Sequence, residues 1–329
     1  MNNNDSTQLY GLIGNPVKHS ASRDMHNAAF QKLQLLADYR LLCVERGHFR
    51  KDFKHFYEKE GYQGFNITFP YKKQALSCID TDKLSKEAKF IGAVNTVKIT
   101  NKEPYGYNTD GIGFIRAFED KFNESITEKS ITLVGCGGAG SAIAIQAVKN
   151  GVSQVILADK VSASLSELEI KIRKVEKNCN IFTIDLGLSG NKAPLKGIQI
   201  ELTQYDLIAD SILKEQKKLA KIPETDVLID ATPLGMNLDD DRSILCDFID
   251  KKHYVCDLVY HPSKTPLLRV AQEKGARFMN GFGMLLYQGV AAVHGVVHDW
   301  SGILIFVFAF MFLFSCEKGL RLLPGKKEY

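Results

Sequence analysis

A glycine-rich turn in the middle of the chain limits the possible folds more than any other feature. Ile131–Val134 is a short run of apolar and β-branched residues, typical of a buried strand. The motif G-x-G-x-x-G follows at Gly135, Gly137 and Gly140, and a helix-like stretch comes next. A second apolar run ends at Asp159, 19 residues after the last glycine. Strand, glycine turn, helix, strand and acid in this order predict a βαβ dinucleotide-binding unit.

The turn residues and the acid are candidate ligands of a dinucleotide. Glycines let backbone N–H groups approach a pyrophosphate at a helix N-terminus, where the helix dipole favours an anion. Asp159 would accept hydrogen bonds from ribose hydroxyls and repel a 2′-phosphate, so we expect NAD in preference to NADP, although Lys160 could retain some phosphate affinity. The alternative is a glycine turn that only packs a strand closely against a helix in another α/β fold. The candidates in the turn are Gly135, Cys136, Gly137, Gly138, Ala139 and Gly140.

Length and composition indicate a two-domain protein of ordinary character. At 329 residues, with 45% apolar and 24% charged residues, the chain is long enough for two domains with ample cores. Its net charge is +4, and no basic block with interleaved aromatic residues is present, so nucleic acid is not an expected partner. The seven cysteines are scattered and form no C-x-x-C motif. This pattern favours buried thiols in a cytoplasmic protein over disulfides, and it offers no metal site.

The two ends of the chain differ in character. The first residues are polar and lack the apolar region of a secretory signal. The run 302–314 carries no polar side chain, but as a helix it would span only about 20 Å, less than the roughly 30 Å core of a bilayer. A membrane span would have to recruit 289–297 as well. We therefore expect no membrane anchor, and the alternatives for 302–314 are a hydrophobic docking segment or an abnormal gene end.

Two serines near the N-terminus have two possible functions. Ser20 and Ser22 place two hydroxyl groups on one side of a loop, where they could hold a carboxylate together with nearby backbone N–H groups. Serine is also preferred at helix N-caps, and a helix follows directly. On local sequence alone the cap is the favoured interpretation.

A second group of polar residues follows apolar strands in the first part of the chain. Asn66 and Thr68 alternate along one strand and should face the same side, with Lys72 just beyond a proline-stiffened turn. Asn95 is predicted to end a similar strand over 92–99, and Asp110 follows a turn before a helix. Such groups in one cleft would suit a polyhydroxylated ligand, with Lys72 and Asp110 as a proton-transfer pair. The alternative is a solvated lysine and a helix-capping aspartate.

The order of these motifs resembles that of the shikimate/quinate dehydrogenase family over residues 9 to about 300. That family combines an α/β substrate domain with a Rossmann domain, and its last helices return to the first domain. The resemblance implies a substrate-binding and catalytic domain over 1–108, a Rossmann NAD(P)-binding domain over 109–282, and a return of 283–329 to the first domain. The matching segments are GNPVKHSAS (14–22), NITFPYK (66–72), GAVNT (92–96), GYNTDG (106–111), GCGGAG (135–140), DLVYHPSKTPLL (257–268) and NGFGMLLYQG (280–289).

The resemblance also implies roles for individual residues. Lys72 would be the catalytic residue, with Asp110 beside the ring, and Ser20 and Ser22 would bind the substrate carboxylate. Leu258 and Gly281 would lie against the nicotinamide half of the cofactor, and Thr232 is a further candidate on the cofactor side. The residues implied to bind ring substituents or shape the pocket are Thr68, Asn95, Asp110, Tyr260 and Gln288, and the strand pattern adds Asn66.

The implied activity is reversible NAD(P)-dependent reduction of 3-dehydroshikimate to shikimate, with 3-dehydroquinate and quinate as a second pair. One alternative is a non-catalytic regulator that binds quinate or shikimate. Another is a different two-domain Rossmann enzyme, such as methylenetetrahydrofolate dehydrogenase, which has no evident use for the paired serines. The chain departs from the family pattern at Arg23, where proline is usual, and in the apolar run 302–314. The sequence leaves open whether the protein is a monomer or a homodimer.

Overall fold

The computed structural model describes residues 7–18, 20–187, 217–237, 240 and 242–296, in which strands and helices alternate. The chain divides into two compact units. The first contains the described residues up to Ser85, Val94–Thr109 and the helix residues from Leu286 onward. The second contains Lys86–Ala93 and Asp110–Leu285. The apolar run 302–314 lies outside the described residues.

The first unit is built on a five-stranded mixed sheet with the strand order β2-β1-β3-β4-β5. β1 is parallel to both β2 and β3, and intervening helices supply the crossovers that parallel strands need. β4 and β5 are antiparallel and are joined by Asn101 and Lys102, whose positive φ angles of 53° and 62° fit a tight hairpin turn. The elements are β1 (Gln8–Gly14), α1 (Ser22–Lys32), β2 (Ala37–Cys43), α2 (Phe49–Glu58), β3 (Tyr62–Ile67), α3 (Lys72–Leu76), β4 (Thr96–Thr100) and β5 (Glu103–Tyr107), with α4 (Lys86–Ile91) in the second unit.

Aromatic residues fill one side of the first sheet. α2 buries Phe49 and Phe53, whose rings stack with a centroid distance of 5.5 Å. Phe49 also stacks on Tyr71 at 4.8 Å, and Phe53 meets the edge of Phe65 in β3 at 5.5 Å. These rings anchor the end of β3 and the turn that leads to α3, so the residues of that turn rest on a packed support.

The second unit is built on a six-stranded parallel sheet with the order β11-β10-β9-β6-β7-β8. The central strands are buried along their length, as expected for a parallel sheet covered on both faces. This is the strand order of a dinucleotide-binding sheet, in which ligands bind beyond the carboxyl ends of the strands where the order reverses. The elements are α5 (Asp110–Phe122), β6 (Ser130–Val134), α6 (Gly138–Lys149), β7 (Gln154–Asp159), α7 (Ser162–Val175), β8 (Asn180–Asp185), β9 (Val227–Asp230), β10 (Tyr254–Asp257), α8 (Pro266–Glu273) and β11 (Arg277–Met279). The last helix, α9 (Phe282–Val296), belongs to this unit up to Leu285 and to the first unit from Leu286.

The predicted α/β class with a Rossmann unit is confirmed, while some local boundaries differ. The strand predicted over 92–99 begins only at Thr96, because Gly92, with φ of 76°, ends α4 and its N–H donates to the carbonyl of Ala88. Residues 86–93 group with the second unit, where Lys171 Nζ donates to the carbonyl of Ile91 at 2.8 Å. The labels substrate domain and nucleotide domain remain proposals.

Candidate active site

The paired serines lie at the start of α1, on either side of its N-cap residue. The N-cap residue is Ala21, and no side chain caps the helix there. Ser22 is the first helical residue and is 3% exposed. Ser20 Oγ donates to Ser22 Oγ at 3.0 Å and accepts the Ser22 N–H at 3.2 Å. The two hydroxyl groups therefore lie side by side, an arrangement that can serve two oxygens of one carboxylate.

The turn between β3 and α3 fixes Thr68 and Lys72. The N–H of Thr68 donates to the carbonyl of Ile13 at 2.9 Å, and a Cβ at Gly14 would lie 2.3 Å from Thr68 Cγ2, so the ends of β1 and β3 are in close contact. Lys72 is the first residue of α3 and is partly exposed. Its carbonyl accepts the N–H of Val94 at 2.9 Å. The backbone that carries Lys72 is therefore held on two sides.

Asn95, Thr109 and Gln288 form a hydrogen-bonded cluster within the first unit. Asn95 Nδ2 donates to Thr109 Oγ1 at 3.0 Å and to Gln288 Oε1 at 3.2 Å. Thr109 returns its N–H to Asn95 Oδ1 at 2.9 Å, and its hydroxyl donates to the backbone carbonyl of Gln288 at 3.1 Å. Asn95 and Gln288 are 2% and 8% exposed. Two amides that the family resemblance implies for ring binding are thus brought into contact.

The position of Asn95 differs from the predicted one, and Thr109 was not predicted. Asn95 does not end a strand but directly precedes β4. It therefore lies on the sheet edge where β3 ends, because β3 and β4 are antiparallel. Thr109 had a detectable signal, since it stands between Asn108 and Asp110 in a turn rich in polar side chains.

Both ends of the Asn66 side-chain amide are hydrogen-bonded to other groups of the protein. Its side chain is 8% exposed, and Oδ1 accepts the hydroxyl of Tyr39 at 2.8 Å. Nδ2 donates to Thr96 Oγ1 at 3.3 Å and to the carbonyl of Asn95 at 3.5 Å. The strand pattern predicted a ligand contact, whereas the structure gives this amide a place in the hydrogen-bond network of the core.

Asp110 and Tyr260 belong to the second unit. Asp110 is the first residue of α5 and is 3% exposed, so it is one of the few buried carboxylates of the described residues. Tyr260 is partly exposed and follows β10 at the carboxyl edge of the parallel sheet. Both residues therefore lie at places where ligand contacts are common in open α/β sheets.

The glycine turn has the geometry that a dinucleotide pyrophosphate requires. Gly135 adopts φ of 96°, a conformation that favours glycine, and a Cβ at Gly140 would lie 1.9 Å from the carbonyl oxygen of Gly135. Gly137 is the N-cap of α6, and among the described residues no atom lies within 4 Å of the position of its Cβ. The turn at Gly138 and Ala139 forms the first residues of α6. The space beside Gly137, at a helix N-terminus, fits a phosphate group.

Asp159 lies against this turn. Its Oδ2 accepts the N–H of Cys136 at 2.6 Å, and its Oδ1 accepts the N–H of Val161 at 2.9 Å. Lys160 is exposed beside it. The carboxylate is therefore fixed where the ribose next to the pyrophosphate would lie. Cys136 is buried, and burial raises the pKa of its thiol, so this cysteine is a neutral packing residue.

The three remaining cofactor candidates lie after β9, β10 and β11. Thr232 donates its N–H and its hydroxyl to Asp230 Oδ1 at 2.9 and 2.6 Å. A Cβ at Gly281 would lie 1.9 Å from the carbonyl oxygen of Leu258, so only glycine allows these two segments to meet. All three are therefore placed at the carboxyl edge of the parallel sheet.

Two buried acids at this edge were not predicted. Asp230 and Asp257 are register partners at the ends of β9 and β10, and they are 1% and 2% exposed. Asp257 accepts the N–H of Val259 and the hydroxyl of Thr265. Burial raises the pKa of Asp230 and raises that of Asp257 to about 7. The signal for both is the one that identified Asp159, an apolar strand that ends in aspartate.

Two features are absent from the described part of the chain. None of the helices there is long and apolar enough to cross a bilayer. The same residues contain no group of three or more His, Cys, Asp or Glu side chains placed to hold a metal ion.

Comparison with known proteins agrees with the geometry. Residues 12–97 match the family model for the shikimate dehydrogenase substrate binding domain. A relative from Desulforamulus reducens named shikimate dehydrogenase (NADP(+)) is 34% identical over 292 residues, which cover 88% of this chain and 89% of the relative.

Solved structures show the same fold over most of their length. Shikimate 5-dehydrogenase from Listeria monocytogenes, in complex with shikimate and NAD, is 29% identical with a TM-score of 0.72, covering 92% of this chain and 96% of that one. Quinate dehydrogenase from Corynebacterium glutamicum, in complex with NAD, is 27% identical with a TM-score of 0.72 and coverage of 93% and 99%. On the strength of these matches over most of its length, the chain belongs to the shikimate dehydrogenase family.

Proposed function

We propose that this protein is an oxidoreductase that reversibly reduces 3-dehydroshikimate to shikimate with a nicotinamide dinucleotide, and that the quinate pair is a second substrate. The observation that carries the proposal is the contact of Asn95 Nδ2 with Gln288 Oε1 at 3.2 Å. It brings together two amides that family resemblance assigns to the substrate ring. A relative named shikimate dehydrogenase supports the first substrate pair. A solved quinate dehydrogenase of the same fold supports the second pair.

Substrate binding is assigned to polar groups on the fixed ends of strands and helices. The adjacent hydroxyls of Ser20 and Ser22 hold the carboxylate of the ring acid. Amide, hydroxyl and phenol groups then serve the ring substituents, and they discriminate well because an unpaired buried polar group is costly. The residues assigned to the ring are Thr68, Asn95, Tyr260 and Gln288, and Asp110 is assigned to the ring as well.

Proton transfer is assigned to Lys72. The bound nicotinamide dinucleotide supplies the hydride in reduction and accepts it in oxidation. As hydride reaches the ring ketone, negative charge develops on its oxygen, and the ammonium group of Lys72 donates a proton there. In the reverse direction the neutral amine takes the proton of the alcohol. Asp110 is assigned as the second member of the proton-transfer pair, and Thr109, directly before it, is anchored by Asn95.

We further propose that NAD is preferred to NADP. The carboxylate of Asp159 is held by the N–H groups of Cys136 and Val161, and its charge would repel a 2′-phosphate. Lys160 is exposed and can pair with that phosphate, so the preference is modest. The relative from Desulforamulus reducens is named for NADP(+), which makes the coenzyme the part of the proposal most in need of measurement.

We propose a cytoplasmic enzyme that is a monomer or a homodimer. The scattered, unpaired cysteines support a cytoplasmic enzyme, since the six cysteines among the described residues are all free thiols. Monomer and homodimer remain the two proposed states. Size-exclusion chromatography and fractionation of the full-length chain test both, and recovery only from detergent-extracted membranes would overturn the cytoplasmic assignment.

The decisive experiment is a set of initial rates with shikimate and quinate, each with NAD and NADP. We expect turnover of both acids, faster with shikimate, and a higher kcat/KM with NAD. Saturable binding of shikimate without turnover under all four conditions would instead support a non-catalytic regulator. Membership of the shikimate dehydrogenase family argues against the methylenetetrahydrofolate alternative, and the absence of binding of either acid would reopen it.

A further inference from the structure

A buried tyrosine of the first unit reaches from one strand across its neighbour to Asn66. Tyr39 lies in β2 and is 2% exposed, and its ring stacks on His26 with centroids 4.2 Å apart. β1 separates β2 from β3 in the sheet, so the side chain of Tyr39 spans the width of β1 before its hydroxyl donates to Asn66 Oδ1 at 2.8 Å. Burial raises the pKa of Tyr39 well above its usual value, so the hydroxyl keeps its proton.

The hydrogen bonds that follow run in directions consistent with this donor. Because Asn66 Oδ1 faces a donor, its Nδ2 faces Thr96 Oγ1, which accepts at 3.3 Å. Thr96 has one hydroxyl proton, and having accepted from Asn66 it donates to Asn95 Oδ1 at 3.0 Å. Asn95 Oδ1 also accepts the N–H of Thr109 at 2.9 Å. Two donors thus hold the oxygen of the Asn95 amide in place.

The orientation of Asn95 in turn orients Gln288. With its oxygen held by Thr96 and Thr109, Asn95 can only present N–H groups to its other neighbours, and Gln288 Oε1 accepts one at 3.2 Å. The glutamine oxygen is therefore turned toward Asn95, which directs its NH₂ group away from that residue. An amide whose two ends are defined in this way distinguishes a donor from an acceptor on a bound molecule.

We infer that Tyr39, Asn66 and Thr96 are positioning residues for substrate recognition, acting through Asn95 and Gln288. The inference rests on the proposed function, because it takes Asn95 and Gln288 as the ring-binding amides. It gives Asn66 an indirect role in place of the ligand contact that the strand pattern suggests. All the contacts involved lie within the first unit, so the effect should fall on the ring acid and not on the coenzyme.

The first test is Tyr39→Phe, which keeps the ring and removes the donor. We expect the KM for shikimate to rise about five- to tenfold, as for the loss of one neutral hydrogen bond, with kcat and the KM for the coenzyme changed less than about twofold. Tyr10→Phe is the matched control. Tyr10 borders the same small cavity as Tyr39, and its hydroxyl donates to Gln8 at the surface. Tyr10→Phe should have the wild-type KM for shikimate, kcat and KM for the coenzyme.

The second test separates positioning from support of the fold. Thr96→Val breaks the last bond to Asn95 with little change of shape and should reproduce the effect of Tyr39→Phe. Thr96→Ser keeps the hydroxyl and should restore the wild-type KM. If Tyr39→Phe or Thr96→Val changes only the melting temperature, or raises both KM values alike, the inference is wrong. Wild-type turnover of shikimate, measured first, tests the proposed function separately.

Discussion

Asn95 and Gln288 are 193 positions apart in the sequence, and their side-chain amides meet at 3.2 Å. Thr109 strengthens the contact by binding the amide of Asn95 and the backbone carbonyl of Gln288. The helix that carries Gln288, α9, is held against the first unit at Gly289, where a Cβ would lie 2.7 Å from Met25 Cε. The end of the described chain is thus hydrogen-bonded to residues of the first unit that lie far away in the sequence.

Gln288→Leu should weaken binding of the ring acid. The substitution removes both polar ends of the amide and leaves the N–H of Asn95 without its glutamine acceptor. Loss of the substrate contact assigned to Gln288 would leave a buried polar group of the ring acid unpaired, which costs about 1–3 kcal/mol, so we expect the KM for shikimate to rise roughly ten- to a hundredfold. Gln272→Leu, on the exposed face of α8, is the matched control and should keep the wild-type KM. If Gln288→Leu and Gln272→Leu have the same KM for shikimate, Gln288 does not contact the ring acid.

Lys72→Ala should lower kcat much more than it changes KM. General acid–base groups typically contribute about 10²–10⁴-fold, and Lys72 is assigned the proton transfer. Lys73→Ala, one position along α3 and exposed, should keep kcat. Asp110→Asn should also lower kcat, and the double variant should fall short of the product of the two effects, because the groups act as a unit. A Lys72→Ala enzyme with wild-type kcat and only a raised KM would make Lys72 a binding residue.

The sequence predicted the second unit better than the first. The reason is that the nucleotide motif depends on residues close together in the sequence, whereas the polar contacts of the first unit join residues far apart in it. The nucleotide motif is local, since strand, glycine turn, helix and acid lie within thirty residues of chain. The structure has these parts in the predicted order, although α6 begins at Gly138 and not after Gly140. The serines before α1 show the limit of local reasoning. Ser20 Oγ accepts the N–H of Ser22, as a helix cap does, and it also donates to Ser22 Oγ, so the cap and the carboxylate site both stay predictions.

The polar side chains of the first unit depend on contacts that no local pattern contains. Alternation along β3 predicts the face on which Asn66 lies, but not that Tyr39 reaches it from two strands away. Family resemblance implied that Asn95 and Gln288 both serve the ring or its pocket, but it did not predict their contact. Hydrogen-bond partners across a sheet are set by register and packing, and these emerge only when the chain is folded.

Asp159→Asn should narrow the preference between coenzymes. The amide keeps one oxygen to accept a backbone N–H and loses the charge that repels a 2′-phosphate. We expect the ratio of kcat/KM with NAD to that with NADP to fall on the order of tenfold, as for one unit charge near a partly solvated phosphate. Lys160→Ala should move the ratio the opposite way. A wild-type enzyme with a clearly higher kcat/KM for NADP would show that Asp159 does not decide the choice.

Two alanine substitutions in the glycine turn should have different effects. Gly140→Ala places a Cβ 1.9 Å from the carbonyl oxygen of Gly135, so the turn must distort, and we expect a loss of about 1–3 kcal/mol of stability. Gly137 has an ordinary φ of −70° and open space among the described residues. Gly137→Ala should therefore keep the melting temperature and raise only the KM for the coenzyme. Unchanged KM in Gly137→Ala would place the pyrophosphate elsewhere.

The pH dependence of stability should contain two opposed contributions, one from each unit. Burial lowers the pKa of His26 from 6.5 to about 4, so its contribution is present above pH 6.5 and is lost as pH falls toward 4. Burial raises the pKa of Asp257 from 3.8 to about 7, so its contribution is present below pH 3.8 and is lost as pH rises through 7. Between about pH 4 and pH 6.5 the two groups change the free energy of unfolding in opposite directions, so their effects partly cancel in the wild type.

Neutral substitutions should separate these contributions. Relative to wild type, His26→Leu should gain free energy of unfolding as pH falls from 6.5 to 4, by about 3 kcal/mol, because the unfolded wild type takes up a proton that the variant cannot. Asp257→Asn should gain free energy of unfolding relative to wild type as pH rises from 4 to 7, by about 4 kcal/mol, because the unfolded wild type releases a proton that the folded wild type keeps on its buried acid. Urea unfolding of the three proteins across this range measures both slopes. The sign of each slope follows from burial, which favours the neutral form of the side chain. If the difference in free energy of unfolding between a variant and the wild type does not change with pH, the substituted group titrates in the folded protein as it does in water.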